Sequence, residues 1–154
     1  MRSMALTRLL LLALSWAGPT SAQTAPHPLG ECPALPSYVA QSLRWEVLRL
    51  PNILMCRAMR TENGAEAFAL TFSSESPLRP RDRDRAERGM LDGKEVQWYR
   101  SEIANDPTLL IREALIQLGE QRVVHIMVRT SDAETLAKYQ QLVLSLTFSA
   151  NQDH

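Results

Sequence analysis

Lysine is nearly missing from this chain. Of its seventeen Lys and Arg residues, only Lys94 and Lys138 are lysines. Histidine occurs three times, cysteine twice and glycine six times, and aromatic residues make up 6% of the chain. Each scarcity narrows the chemistry. There is no H-E-x-x-H pair, no G-x-S-x-G elbow and no glycine run able to cradle a phosphate. Cys32 and Cys56 are too far apart for a C-x-x-C redox or zinc motif, and no histidine cluster accompanies them. No metal and no cofactor is therefore expected. Beyond residue 22 no apolar run is long enough to cross a bilayer as a helix.

Charge of one sign is also lacking. The chain carries seventeen basic and seventeen acidic residues. Setting aside Arg2 and Arg8 of the leading segment leaves fifteen basic residues and a net charge of −2. That balance argues against a broad nucleic-acid surface, so no nucleic acid is expected as a partner.

Residues 1–22 read as a cleavable signal peptide. Arg2 and Arg8 form the basic start, Leu9 to Trp16 is a short apolar stretch, and Thr20-Ser21-Ala22 supplies small residues before a cut. The expectation is an exported, periplasmic protein of bacterial type with no stable membrane anchor once the segment is removed. In that oxidising compartment Cys32 and Cys56 should form one disulfide. It would close a loop of about 25 residues, worth roughly 3.5 kcal/mol by the loop-entropy relation.

The mature chain has the length of one domain. Residues 23–35 form a Pro-rich lead-in, residues 36–148 the domain and residues 149–154 a polar tail. Ser37 to Leu43 suits a short helix of two turns. Arg44–Leu50, Leu54–Thr61 and Ala65–Ser74 alternate as strands, with Phe68, Leu70 and Phe72 on one side and a hairpin at Asn63-Gly64. Gly89–Leu91 and Lys94–Ile103 form a second hairpin around Asp92-Gly93. In it Val96 and Trp98 share one face, and Gln97, Tyr99 and Ser101 the other. Val123–Val128 is the longest apolar run, with His125 on the side of Val123 and Met127. Ser131-x-x-Glu134 is a capping box opening an amphipathic helix to about Leu146, striped by Leu136, Tyr139, Val143 and Leu146. Leu109–Leu118 is ambiguous. Asp106, Pro107 and Gly119 are placed as helix caps, yet Leu110, Ala114, Ile116 and Leu118 also share a strand face.

Asp92-Gly93-Lys94-Glu95-Val96-Gln97-Trp98, Val123-Val124-His125-Ile126-Met127-Val128 and the closing Leu142-Val143-Leu144-Ser145-Leu146 occur in an order that resembles the Mog1/PsbP-like fold, including DcrB-like exported proteins of bacteria. The resemblance implies an α+β class: an antiparallel β-sheet meander covered by a C-terminal amphipathic helix and a short N-terminal helix, in a two- or three-layer sandwich. It makes Leu109–Leu118 a strand, which is the reading adopted. It implies a binding or assembly module and supplies no catalytic set.

Ser73–Arg88 reads as a solvated, mobile loop. Its alternative is a contact for an anion or an acidic partner, because an extended chain would put Arg79, Arg81, Arg83 and Arg85 on one side. Trp98 and Tyr99 are the candidate aromatic contact. His27 lies in the lead-in and His154 at the end, so neither is expected to be positioned by a scaffold. His125 is expected to be a half-buried histidine among apolar neighbours. The first functional reading is a non-enzymatic periplasmic binding or accessory module whose partner is another protein. The second is an immunity-type protein that occludes a secreted toxin. A small hydrolase using His125 ranks last.

Overall fold

The computed structural model describes residues 27–76, 78–103 and 106–148. The signal-like segment, the start of the lead-in, Pro77, the turn residue Asn105 and the tail with His154 lie outside the described residues.

Strand periodicity organises the chain into two meanders. The first comprises β1 (Leu43–Leu50), β2 (Ile53–Arg60) and β3 (Glu66–Ser73). The second comprises β4 (Arg85–Leu91), β5 (Lys94–Ser101), β6 (Leu110–Gly119) and β7 (Arg122–Thr130). They join where β3 pairs with β7, giving one seven-stranded antiparallel sheet in the order β1-β2-β3-β7-β6-β5-β4. Helix α1 (Ala133–Leu144) follows β7 directly. The α+β class and the closing helix are as the sequence suggests. The single meander is instead two, linked by the connector 74–84.

Register assembles the core in rows. Ala58, Phe68 and Val128 stand opposite one another, as do Cys56, Leu70 and Ile126, and Leu54, Phe72 and Val124. All nine are buried on one face. Fully burying each Leu, Ile, Val or Phe contributes about 1.5–3 kcal/mol. Helix α1 covers this face, burying Leu136, Tyr139, Leu142 and Val143, with the Tyr139 ring 6.5 Å from that of Phe68. Its cap is shifted by one residue from the expected box: Asp132, not Ser131, accepts from the Thr135 amide at 2.7 Å. The helix ends at Leu144, and Leu146 and Phe148 are buried beyond it.

The lead-in covers the β1 side of the same face. Cys32 and Cys56 are joined, with their Cα atoms 5.9 Å apart. Trp45 Nε1 donates to the Pro33 carbonyl at 2.8 Å, and the Trp45 ring packs edge-on to Phe68. His27 is held after all. Its Nδ1 accepts from the Leu29 amide, so Nε2 carries the proton and donates to the Leu50 carbonyl at 2.8 Å. In place of the expected two-turn helix, the chain makes one 3-10 turn, Ser37–Val39, before β1.

β6 resolves the ambiguous stretch as a strand. It is paired on both sides, to β5 and β7, and such ladders outweigh local propensity. The cap signal is real but serves a turn, in which Asp106 accepts from the Thr108 amide. At the hairpin Asp92-Gly93 both residues have positive φ, 49° and 75°, as a two-residue primed turn requires.

Candidate functional site

Topology creates the site. Ser73 ends β3 opposite Val123, at the end of the sheet where Ile53 and Gln117 also lie. Arg85 opens β4 opposite Tyr99, at the other end and on the far edge. The connector 74–84 must therefore traverse a face of the sheet, and α1 occupies the other one. Between the connector and the β5–β6 end lies an open groove of about 1300 Å³. Leu78, Arg79, Pro80, Arg81, Arg83 and Asp84 form one wall. Tyr99, Arg100, Ser101, Glu102 and Ile103 of the β5 end line it too, with Asp106, Pro107 and Leu109 to Glu113 leading into β6.

The expected solvated loop ends earlier than Arg88, because β4 begins at Arg85, and the connector before it has local structure. Ser76 is buried, its hydroxyl accepts from the Leu78 amide, and its carbonyl accepts from Arg79 Nη1. A 3-10 turn at Asp82–Asp84 interrupts the extended chain. The four arginines consequently do not share one side. Arg79, Arg81 and Arg83 line the groove, whereas Arg85 lies in β4 and pairs with Asp82 at 2.9 Å. Arg81 pairs with Asp84 at 2.6 Å.

Trp98 and Tyr99 separate by strand alternation. Trp98 is 1% exposed within the core, so the expected aromatic contact loses its larger ring. Tyr99 points the other way and lines the groove. Sequence reasoning missed Arg100 and Arg112, which stand directly opposite each other on β5 and β6 and, being in register with buried Val128, on the α1 side of the sheet. Like charges placed so repel. Glu87 of β4 offsets the repulsion by taking Arg112 with both carboxylate oxygens, the shortest contact being 2.8 Å, while Gln140 of α1 donates to Glu87 at 3.3 Å. The Arg112 guanidinium holds the Glu87 carboxyl down at about 2.

His125 is not among apolar neighbours alone. Its Nε2 lies 3.2 Å from Glu113 Oε1 across the β6–β7 ladder, with the two side chains 19% and 17% exposed. Hydrogen bonding from His125 first, and from Ser101 in addition, lowers the Glu113 carboxyl below the usual range. No local spacing pattern reveals the pair, because the two residues meet only through strand register. Hydroxyl and imidazole both address the same carboxylate. A nucleophile and its base would have to address each other.

Among the described residues no group of three or more His, Cys, Asp or Glu is placed to hold a metal ion, and no helix is long and apolar enough to cross a membrane. Compared with models of protein families, with curated proteins and with solved structures, the chain matches none.

Proposed function

We propose that this is an exported, periplasmic binding or accessory module, without a catalytic side chain, that holds a protein partner in the groove beneath the connector. The observation that carries the reading is the groove itself. It is large, open and lined by arginines together with Leu78, Ile103 and Leu109. Mixed apolar and hydrogen-bonding walls suit recognition. The hydrogen-bonding order around Glu113 supports the non-catalytic side of the proposal. The disulfide is compatible with export, and residues 1–22 have the charge, apolar and small-residue order of a signal peptide. An antiparallel sheet backed by a closing helix is what supports the Mog1/PsbP-like reading, with the lead-in and its 3-10 turn in the place of the N-terminal helix.

Site-specific photo-crosslinking in cells tests it. A photoreactive residue at Ile103, on the groove, should yield a discrete protein adduct. One at Tyr38, which is 72% exposed away from the groove, should not. Equal labelling from both positions, or none from Ile103, would remove the groove from the account.

A further inference from the structure

We propose that β1 pairs along its free edge with β1 of a second copy of this chain, antiparallel about a two-fold axis at Trp45, so that Arg44 of each copy meets Glu46 of the other. This is independent of what occupies the groove.

The sheet is open, and its two edges are unlike. The β4 edge carries a bulge between Arg85 and Arg88, with three charged side chains, Arg85, Glu87 and Arg88, around it. Such bulges and charges blunt an edge against pairing. β1 has neither bulge nor proline, and all of Leu43–Leu50 pairs in unbroken register with β2. Among the described residues the lead-in gives β1 no main-chain hydrogen bond. Trp45 meets Pro33 from the α1 face, while His27 on the Leu50 carbonyl and Glu31 on Arg49 hold only the Leu50 end. Leu50 and Ile53 flank a two-residue turn and so exchange both main-chain bonds. Alternation then turns the N–H and C=O groups of Leu43, Trp45 and Val47 outward.

Charge selects the partner and the register. Arg57 of β2 takes both Glu46 and Glu66, each at 2.7 Å. Glu46 gives it Oε1 and keeps Oε2. Arg44 is exposed, and among the described residues its side chain has no partner. Two carboxylates thus share one guanidinium, while a second guanidinium stands idle on the same edge. A two-fold axis normal to the sheet keeps each face on its own side, so opposed residues are both even-numbered or both odd-numbered. With Trp45 opposite itself, Leu43 falls opposite Val47, and Arg44 opposite Glu46 twice. The two ion pairs then occupy the closer, non-hydrogen-bonded positions. One step of slippage sets Glu46 against Glu46, or Arg44 against Arg44, and like charges directly opposite repel. Further slippage runs into the end held by the lead-in or off the strand.

Sedimentation equilibrium of the oxidised protein should give a weak, concentration-dependent dimer. Arg44→Glu alone and Glu46→Arg alone should each weaken it by about tenfold or more, because each sets like charges opposite each other twice. An equimolar mixture of the two variants should regain the dimer, since every opposed pair is then Glu with Arg. Hydrogen exchange on the parent protein gives a readout without substitution: the Trp45 and Val47 amides should gain protection as concentration rises. A protein that stays monomeric up to about 1 mM overturns the proposal. So does a dimer that both variants leave intact, or a mixture of correctly folded variants that stays monomeric. Protection gained at β4 or around the groove instead of at β1 also overturns it. If Glu46→Arg does not fold, Arg44→Glu, whose side chain has no partner to lose, decides together with the exchange result.

Discussion

Glu87 illustrates how one side chain sets a condition on the whole fold. Its folded carboxyl titrates at about 2 against an ordinary 4.5. A depressed carboxyl stabilises fully above its unfolded value and loses that contribution as pH falls toward its folded one. Because the Glu87 side chain is 48% exposed, solvent screening leaves the pair about 1 kcal/mol. Glu113 shifts in the same direction. Urea denaturation should therefore show Glu87→Gln less stable than the parent at about pH 7, with the two converging as pH falls below about 4.5 toward about 2. Parallel curves would mean that the Arg112 contact contributes nothing. Trp98→Ala makes a contrasting case. The ring is in the core, so the substitution should cost about 3–5 kcal/mol by leaving a cavity. It should affect partner capture only through loss of folded protein, which capture normalised to folded material would check.

At the scale of elements, the lead-in and the connector are the two pieces whose roles needed three dimensions. The prolines and Cys32 mark an anchored lead-in in the sequence, but no pattern shows that it covers the β1 side of the core. Denatured, unreduced protein should show no labelled thiol. Cys56→Ser should lower stability by about 2–4 kcal/mol, read as a fall in Tm. The connector's composition reads as a solvated loop. Its course over the sheet follows from β3 pairing with β7 rather than β4, a long-range choice that local propensity does not encode. Trypsin should cut first between Arg79 and Arg83, where the side chains are exposed. First cleavage within α1, at Lys138, would contradict the layout. β6 and the turn at Asp106 show the limit of local signals. The caps were placed as for a helix, and pairing on both sides overrode them.

At the scale of the molecule, the alternation of Phe68, Leu70 and Phe72, the apolar run Val123–Val128 and the amphipathic closing helix made the sheet and its covered face legible from sequence. The groove was legible only in part. Arg79, Arg81 and Arg83 stand out by composition, and Tyr99 by its face. Arg100, Arg112 and the Glu113–His125 pair meet across strands and leave no spacing to read. The whole then works as a sheet with one face closed by helix and lead-in, and the other crossed by a connector that leaves an open, arginine-lined groove. The central claim is that this groove binds and that His125 does no chemistry. Partner capture and cellular function should be measured side by side for His125→Gln and Arg79→Gln/Arg83→Gln, each normalised to folded protein. The account predicts that His125→Gln keeps both and that the double variant loses both. Loss of function in a folded His125→Gln protein that still captures its partner, with the double variant unaffected, would contradict it.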